Sequence, residues 1–191
     1  MTDPIAAKRL LRARVRAERR ARPAEERAAA DTAIGDRLLA LARGRACVAC
    51  YLSAPSEPGT RSFLRRAEEE GIRVILPVPR DDGSLGWVPS AGSRERRGAW
   101  GVPEPVGDAL PPSALAEAGL VIAPAAAADG SGGRLGWGGG FYDRALAALP
   151  SPRPVWAVLY DSEVVDRVPR ETHDMRVTGI VTATRTLPSD R

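Results

Sequence analysis

The sequence predicts an α/β fold, a three-layer α/β/α sandwich with a mainly parallel sheet and an N-terminal pair of helices. Short apolar runs such as ACVACYL and LVIAP are hydrophobic on both faces, as strands covered by helices on both sides require. Segments with the 3.6-residue period of an amphipathic helix separate these runs. With 191 residues, we expect a single domain over residues 1–191.

The helical pair comes first in the chain. Residues 4–20 form a basic amphipathic pattern that Pro23 interrupts, and residues 24–42 form a second pattern that Gly44 ends. Further helices are expected at residues 60–70 and 141–149, with a helical turn at residues 113–118. We expect strands at residues 46–52, 72–79, 85–88, 120–124, 154–160 and 177–183.

Residues 90–112 are rich in glycine, proline and charge, and this composition predicts a segment that is mostly loop. In open parallel sheets, ligands bind on the loops at the carboxyl ends of the strands. A site is therefore expected on the loops at residues 53–60, 77–83, 124–143 and 161–174.

The composition, 43% hydrophobic and 27% charged, is that of a globular protein. The sequence contains no run of about 18 apolar residues, so no transmembrane helix is expected. The N-terminus lacks the apolar core of a signal peptide. We expect a cytoplasmic monomer without a membrane partner. Cys47 and Cys50 form a C-x-x-C pair, but it lies in an apolar strand without enough other zinc ligands. We therefore expect both cysteines to be structural.

Positive charge is concentrated at the N-terminus. The net charge is +4, whereas residues 1–22 contain eight basic and two acidic side chains and so carry +6. Such a segment could contact nucleic acid, a membrane or a phosphorylated small molecule, or could be a solvated helix face. Lys8 is the only lysine of the chain.

The stretch GGRLGWGGGFYDR, residues 132–144, lies between a buried strand and an apolar helix. It fits neither the dinucleotide fingerprint, whose third glycine would fall on Phe141, nor the P-loop, which needs a lysine after its glycines. Consecutive glycine N–H groups and a helix N-terminus can still bind an anion. Arg134 could donate to a phosphate, and Asp143 could bind Mg²⁺ or simply favour the first helical turn.

Several motifs together resemble the 5-formyltetrahydrofolate cyclo-ligase family. The family signature R-L-G-x-G-x-G-[FY]-Y-D appears as RLGWGGGFYD at residues 134–143. In the family's order, the other matches are K-x-x-L-R at residues 8–12, YLSAPSEPGT at residues 51–60, GAWGVPEP at residues 98–105 and PRETHDMRV at residues 169–177.

The resemblance implies ATP- and Mg²⁺-dependent conversion of 5-formyltetrahydrofolate to 5,10-methenyltetrahydrofolate, with small molecules and not nucleic acid as partners. It implies ATP contacts from Lys8, Arg9, Leu11, Arg12, Arg134, Leu135, Gly136, Trp137, Gly138, Gly139, Gly140, Phe141 and Tyr142. Arg134 and Tyr142 would be catalytic. The folate would contact Glu57, Trp100, Gly136, Trp137, Gly138, Gly139 and Gly140, and Mg²⁺ would bind Asp143 and Asp174.

The sequence departs from the family pattern at two places, both expected on the folate side. Residues 123–129, APAAAAD, lack the family's glycine and phenylalanine, and Gly59 stands where an acidic residue is common. These departures leave a folate-binding protein without turnover as an alternative. The basic N-terminal helix leaves a nucleic-acid-binding module of the same fold as another. The roles of Tyr51, Trp100 and the only histidine, His173, stay open between the site and the protein scaffold.

Overall fold

The computed structural model describes residues 3–92, 94–98, 102–111, 113–171 and 174–190. The helices are α1 (Pro4–Ala21), α2 (Ala24–Ala42), α3 (Arg61–Glu69), α4 (Ala114–Glu117) and α5 (Phe141–Ala147). The strands are β1 (Cys47–Ala49), β2 (Arg73–Pro79), β3 (Leu85–Pro89), β4 (Arg94–Arg97), β5 (Pro103–Val106), β6 (Leu120–Pro124), β7 (Ala127–Ala128), β8 (Arg134–Leu135), β9 (Val155–Val158), β10 (Gly179–Val181) and β11 (Thr186–Pro188).

The central sheet has seven strands in the order β11-β10-β9-β6-β1-β2-β3. Its five inner strands are parallel, and β3 and β11 pair antiparallel at the two edges. The inner strands are the predicted apolar runs, and their side chains are buried on both faces because helices cover both sides. The predicted mainly parallel sheet is confirmed.

Two apolar clusters lie on opposite faces of this sheet. Ile34 of α2 and Phe63 of α3 belong to one cluster, and Leu115 of α4 and Leu146 of α5 belong to the other. The three-layer α/β/α prediction is therefore confirmed. A third, smaller cluster, which includes Val15, lies beneath α1.

Cys47 and Cys50 are both free and buried, and they belong to the clusters on opposite faces of the sheet. Burial raises the pKa of each thiol, so both stay protonated and unreactive at neutral pH. This arrangement is that of structural cysteines.

The prediction that residues 90–112 are mostly loop is wrong in part, because β4 and β5 form an antiparallel hairpin there. The side chains of β4 are all exposed, so the segment lacks the apolar alternation that indicates a strand. The described part of the chain contains no helix long and apolar enough to cross a membrane.

Candidate active site

The glycine-rich stretch connects β8 to α5 as a tight loop. Strand β8 pairs with β7, and β7 directly follows β6 along the chain. Because β6 belongs to the central sheet, the loop lies near the carboxyl end of that strand. Gly138 and Gly140 have φ angles of 104° and 66°, a region that side chains with a Cβ disfavour. Gly140 is the N-cap residue of α5. The glycines are thus required for the turn that places the first residues of α5.

A cavity of about 290 Å³ lies between this loop and α1, and we call it the charged cavity. Several site residues predicted from the sequence line it together. Those on its wall are Lys8, Arg12, Arg134, Gly136, Trp137, Gly138, Gly139, Gly140, Phe141, Tyr142 and Asp143. Glu171, which the sequence analysis did not single out, also lines it.

Lys8 is buried and forms two ion pairs in this cavity. Its Nζ lies 2.7 Å from Glu171 Oε2 and 2.6 Å from Asp174 Oδ2. Burial alone would lower the pKa of Lys8, but hydrogen bonds and ion pairs with the two carboxylates outweigh it and raise the pKa. One turn further along α1, the Arg12 Nε donates to the Gly136 carbonyl oxygen at 2.8 Å. Helix α1 is therefore attached by its basic side chains to both the glycine loop and the segment around residue 174.

Arg134 is almost fully buried, and its Nη2 lies 2.6 Å from Asp143 Oδ1. The Met175 backbone N–H donates to the same oxygen at 3.2 Å. Because Met175 adjoins Asp174, this hydrogen bond brings the two predicted metal-binding carboxylates to one region. The buried Nε of Arg134 has no hydrogen-bond partner among the described residues.

Two carboxylates beside a cationic cavity fit the coordination of Mg²⁺, which takes one or two carboxylates and completes its shell with phosphate oxygens and water. Both hydrogen bonds to Asp143 from the described residues fall on Oδ1, which leaves Oδ2 as a possible ligand. No group of three or more His, Cys, Asp or Glu side chains in the described ranges could hold a metal alone. Phosphate oxygens and water would supply the remaining ligands of a metal bound here.

A second cavity of about 650 Å³ adjoins the first, and we call it the apolar cavity. Its apolar wall contains Leu52, Pro77, Pro79, Leu85, Val102 and Pro103, with Tyr51 beside them. Glu57 lines it and accepts a hydrogen bond at Oε2 from the Ala54 N–H at 2.9 Å. Burial raises the pKa of Glu57, which indicates that its hydrogen bond and the nearby positive charge do not fully offset the cost of burying the carboxylate. The Tyr51 hydroxyl donates a hydrogen bond to the Pro58 carbonyl oxygen, so Tyr51 supports the loop that carries Glu57.

The two cavities share a wall made by Pro124, Trp137, Gly139, Phe141 and Tyr142. The Tyr142 hydroxyl and the Trp137 Nε1 are buried and have no hydrogen-bond partner among the described residues. Burial raises the pKa of Tyr142, so its hydroxyl keeps its proton and can donate. Both donors belong to the wall that the two cavities share, where the oxygen of a bound ligand or of water could accept a hydrogen bond from them.

Trp137 is held in this wall by two arginines of α1. The guanidinium groups of Arg16 and Arg19 lie 5.2 and 4.9 Å from its ring centroid, within cation–π range. Arg19 is itself fixed by Glu163, with nitrogen–oxygen distances of 2.6 and 2.8 Å, and both side chains are buried. Sequence reasoning missed this pair. The available signal was the position of Arg19, four residues after Val15 on the buried stripe of α1.

Some residues named from the sequence lie elsewhere. Leu11 and Leu135 pack in the cluster beneath α1, and Arg9 is exposed. The described walls of the two cavities do not include these three residues. Trp100 and His173 lie outside the described residues.

Residues 123–129, which are expected on the folate side, line neither cavity in the described structure except at Pro124. The alanines of this segment are at most 1% exposed and fill the core, and Asp129 is buried too. The Asp129 carboxylate accepts hydrogen bonds from the N–H groups of Gly133 and Val168, at 3.0 and 2.7 Å. The segment therefore supports the start of the glycine loop from below.

Gly59, also expected on the folate side, is not on the described wall of either cavity. A Cβ at this position would overlap the carboxylate of Asp31 on α2. Position 59 thus points toward α2, and the missing acidic side chain removes nothing from the described wall of the apolar cavity.

Residues 4–183 match the sequence profile of the 5-formyltetrahydrofolate cyclo-ligase family. A 5-formyltetrahydrofolate cyclo-ligase of Mycolicibacterium smegmatis is 38% identical over 143 residues, which cover 72% of this chain and 74% of that protein. The protein of the same name from Escherichia coli K12 is 34% identical over 146 residues, covering 72% and 78% of the two chains.

Solved structures show the same fold. A 5,10-methenyltetrahydrofolate synthetase of Aquifex aeolicus superposes with a TM-score of 0.74 at 24% identity, covering 95% of this chain and 92% of that chain. The corresponding protein of Mycoplasma pneumoniae gives a TM-score of 0.73 at 19% identity, covering 92% and 98%.

Proposed function

The chain belongs to the 5-formyltetrahydrofolate cyclo-ligase family, and on that premise we propose that it converts 5-formyltetrahydrofolate and ATP to 5,10-methenyltetrahydrofolate, ADP and phosphate, with Mg²⁺. The observation that carries the proposal is the wall shared by the charged and apolar cavities. A phosphoryl group can pass between two bound molecules only if they meet, and cavities that share a wall would hold the two molecules side by side.

The chemistry requires phosphorylation because the formyl oxygen is a poor leaving group. Transfer of the ATP γ-phosphoryl group to this oxygen makes it a good one. The N10 nitrogen then attacks the formyl carbon and loses its proton, the five-membered ring closes, and the C–O bond breaks so that the oxygen leaves with the phosphate. Catalysis of the first step consists mainly of positioning and charge neutralisation.

The charged cavity is the proposed ATP site. Lys8, Arg12 and Arg134 bring three positive charges to the glycine loop, whose backbone can approach phosphate oxygens closely. Asp143 and Asp174 would hold Mg²⁺ together with those oxygens. Bound there, the metal would neutralise phosphate charge, as in other phosphoryl transfers. Lys8 and Arg134, which pair with these carboxylates, would then hold the ligands in place.

The apolar cavity is the proposed folate site. Its apolar wall suits the pterin and aminobenzoyl rings, and the Glu57 carboxylate can accept hydrogen bonds from the amino-pyrimidinone edge of the pterin. Glycines 136–140 would lie between the two substrates. The Trp137 ring gives this wall a flat, rigid surface.

Tyr142 and Arg134 are the proposed catalytic residues. The Tyr142 hydroxyl lies in the shared wall without a partner, where it could donate a hydrogen bond to the formyl or the transferred phosphate oxygen. Arg134 would stabilise the negative charge that spreads over the phosphoryl oxygens during transfer.

The proposal is tested by mixing purified protein with 5-formyltetrahydrofolate, ATP and Mg²⁺. We expect the absorbance of methenyltetrahydrofolate to rise, with one ATP consumed for each product formed. Folded protein that binds the folate without forming product would instead support the folate-binding alternative.

A nucleic-acid-binding role is disfavoured because four basic side chains of α1 make contacts within the protein. Lys8, Arg12, Arg16 and Arg19 contact the glycine loop, its tryptophan or the acidic residues beneath. This alternative predicts no product in the same assay. It also predicts binding of DNA or RNA whose affinity falls steeply as the salt concentration rises.

A further inference from the structure

The apolar cavity has an excess of positive charge at its α1 side. Three arginines of α1 line it, Arg16, Arg19 and Arg20. Arg19 is neutralised by its buried ion pair with Glu163. The other two are exposed. Within the described ranges, the ion pairs of α1 and its cap residue involve Lys8, Arg14, Arg19 and Arg22, and neither Arg16 nor Arg20 has an acidic partner.

Neither acidic side chain on the described wall of the cavity forms an ion pair with Arg16 or Arg20. Glu104 pairs with Arg96 at 3.2 Å, and Glu57 accepts its hydrogen bond from the Ala54 N–H. Burial, together with the positive charge of Arg16, lowers the pKa of Arg12. A cavity with an apolar interior and these two guanidinium groups is suited to a ligand that has an aromatic body and an anionic end.

Arg16 and Arg20 are four residues apart and so lie on the same face of α1. Two neighbouring guanidinium groups can each bind a carboxylate through two parallel hydrogen bonds. The glutamyl end of a folate has two carboxylates, and it lies at the end of the molecule opposite the pterin.

We propose that Arg16 and Arg20 form a dicarboxylate subsite, which binds the glutamyl end of the folate substrate at the mouth of the apolar cavity. This inference rests on the proposed function for the identity of the substrate. The subsite acts in binding and not in catalysis, because the carboxylates are far along the molecule from the formyl group.

The test compares two substrates, 5-formyltetrahydrofolate and the analogue that lacks glutamate, 5-formyltetrahydropteroate. The variants are Arg16→Gln, Arg20→Gln and the double variant. The matched control is Arg14→Gln, which removes an exposed arginine of α1 that pairs with Glu18 and lines neither cavity. KM for each folate, KM for ATP and kcat are measured for all of them.

We expect each single substitution to raise KM for 5-formyltetrahydrofolate about fivefold, and the double substitution more than tenfold, because a partly exposed ion pair contributes about 1 kcal/mol. In Arg20→Gln, KM for the glutamate-free analogue and KM for ATP should not change, and Arg14→Gln should match the wild-type protein throughout. Arg16→Gln also loses the contact with the Trp137 ring, so its effect is judged by the difference in KM between the two folates. High salt should reduce the difference between the wild-type protein and the variants.

The proposed subsite would be overturned by any of three results. These are equal increases in KM for both folates, an increase in KM for ATP alone, and no change in any KM. Calorimetric binding of the two folates without ATP gives the same comparison if the wild-type protein has no turnover. Failure of the proposed reaction is therefore distinguished from failure of the subsite.

Discussion

The charged cavity and the apolar cavity share a wall but are built in different ways. The charged cavity is formed mainly by one continuous stretch, residues 134–143, with α1 above it. The apolar cavity collects its walls from α1, the loop after β1, strands β2 and β3, and the hairpin of β4 and β5. A single local motif therefore specifies the first cavity, whereas tertiary packing assembles the second.

This contrast predicts different responses to substitution. Anion binding at a glycine loop depends on a few fixed charges, so the loss of one charge should be severe. Binding of an aromatic molecule in a broad apolar cavity is spread over many contacts, so single changes there should mainly alter affinity. The following predictions test this division.

The largest effect is expected for Arg134→Gln. It should lower kcat by about a thousandfold or more, because an arginine that neutralises charge in phosphoryl transfer contributes on that scale. Arg134→Lys should recover part of the activity and keep the ion pair with Asp143. Arg73→Gln, which removes an exposed ion pair with Glu117, is the control. Near-normal turnover by folded Arg134→Gln protein would show that Arg134 is not catalytic.

A smaller loss is expected for Tyr142→Phe, which removes only the hydroxyl group. If the hydroxyl donates to an oxygen whose charge grows during transfer, kcat should fall about a hundredfold while KM for both substrates changes little. Stability should be unchanged or slightly higher, because a buried donor without a partner is removed. An increase in KM with unchanged kcat would instead assign Tyr142 to ground-state binding.

The raised pKa of Glu57 leads us to expect that pH alters KM for the folate but not KM for ATP. Because its pKa is raised, the carboxylate is protonated at a higher pH than an ordinary glutamate as the solution is acidified. KM for 5-formyltetrahydrofolate should therefore rise as pH falls through that raised pKa, while KM for ATP does not follow. Glu57→Gln should raise KM about tenfold and abolish this pH dependence. The exposed Glu117→Gln is the control, and an unchanged profile in Glu57→Gln would exclude Glu57 as the titrating group.

The smallest catalytic effect is expected for Gly59→Glu, which restores the acidic residue common in the family. Its side chain would overlap Asp31, so the free energy of unfolding should fall by about 1–3 kcal/mol. KM for the folate should be unchanged, because the position faces α2. Combining it with Asp31→Ala should recover stability. A lower folate KM in Gly59→Glu would return this position to the substrate site.

The same contrast explains what the sequence could predict. The inner strands of the sheet and the glycine loop depend on local patterns, apolar runs in one case and a compact motif in the other, and both were predicted. The hairpin of β4 and β5 was not, because the side chains of β4 are all exposed and neither short strand has an apolar alternation.

Long-range polar pairs were also out of reach of the sequence. Arg19 and Glu163 are 144 positions apart and meet only in the folded chain, and Lys8 meets Glu171 across 163 positions. Asp129 was placed on the folate side because it ends a segment that differs from the family. Its carboxylate instead supports the glycine loop, a role that depends on where the fold places this buried side chain.

The central claim is that the two substrates meet at the shared wall and that phosphate is transferred directly to the formyl oxygen. The most direct test uses 5-formyltetrahydrofolate labelled with ¹⁸O in the formyl group, followed by mass analysis of the inorganic phosphate after one turnover. Direct transfer predicts one ¹⁸O atom in each phosphate released. Phosphate free of ¹⁸O, with methenyltetrahydrofolate formed, would show that ATP is hydrolysed separately and would contradict the account.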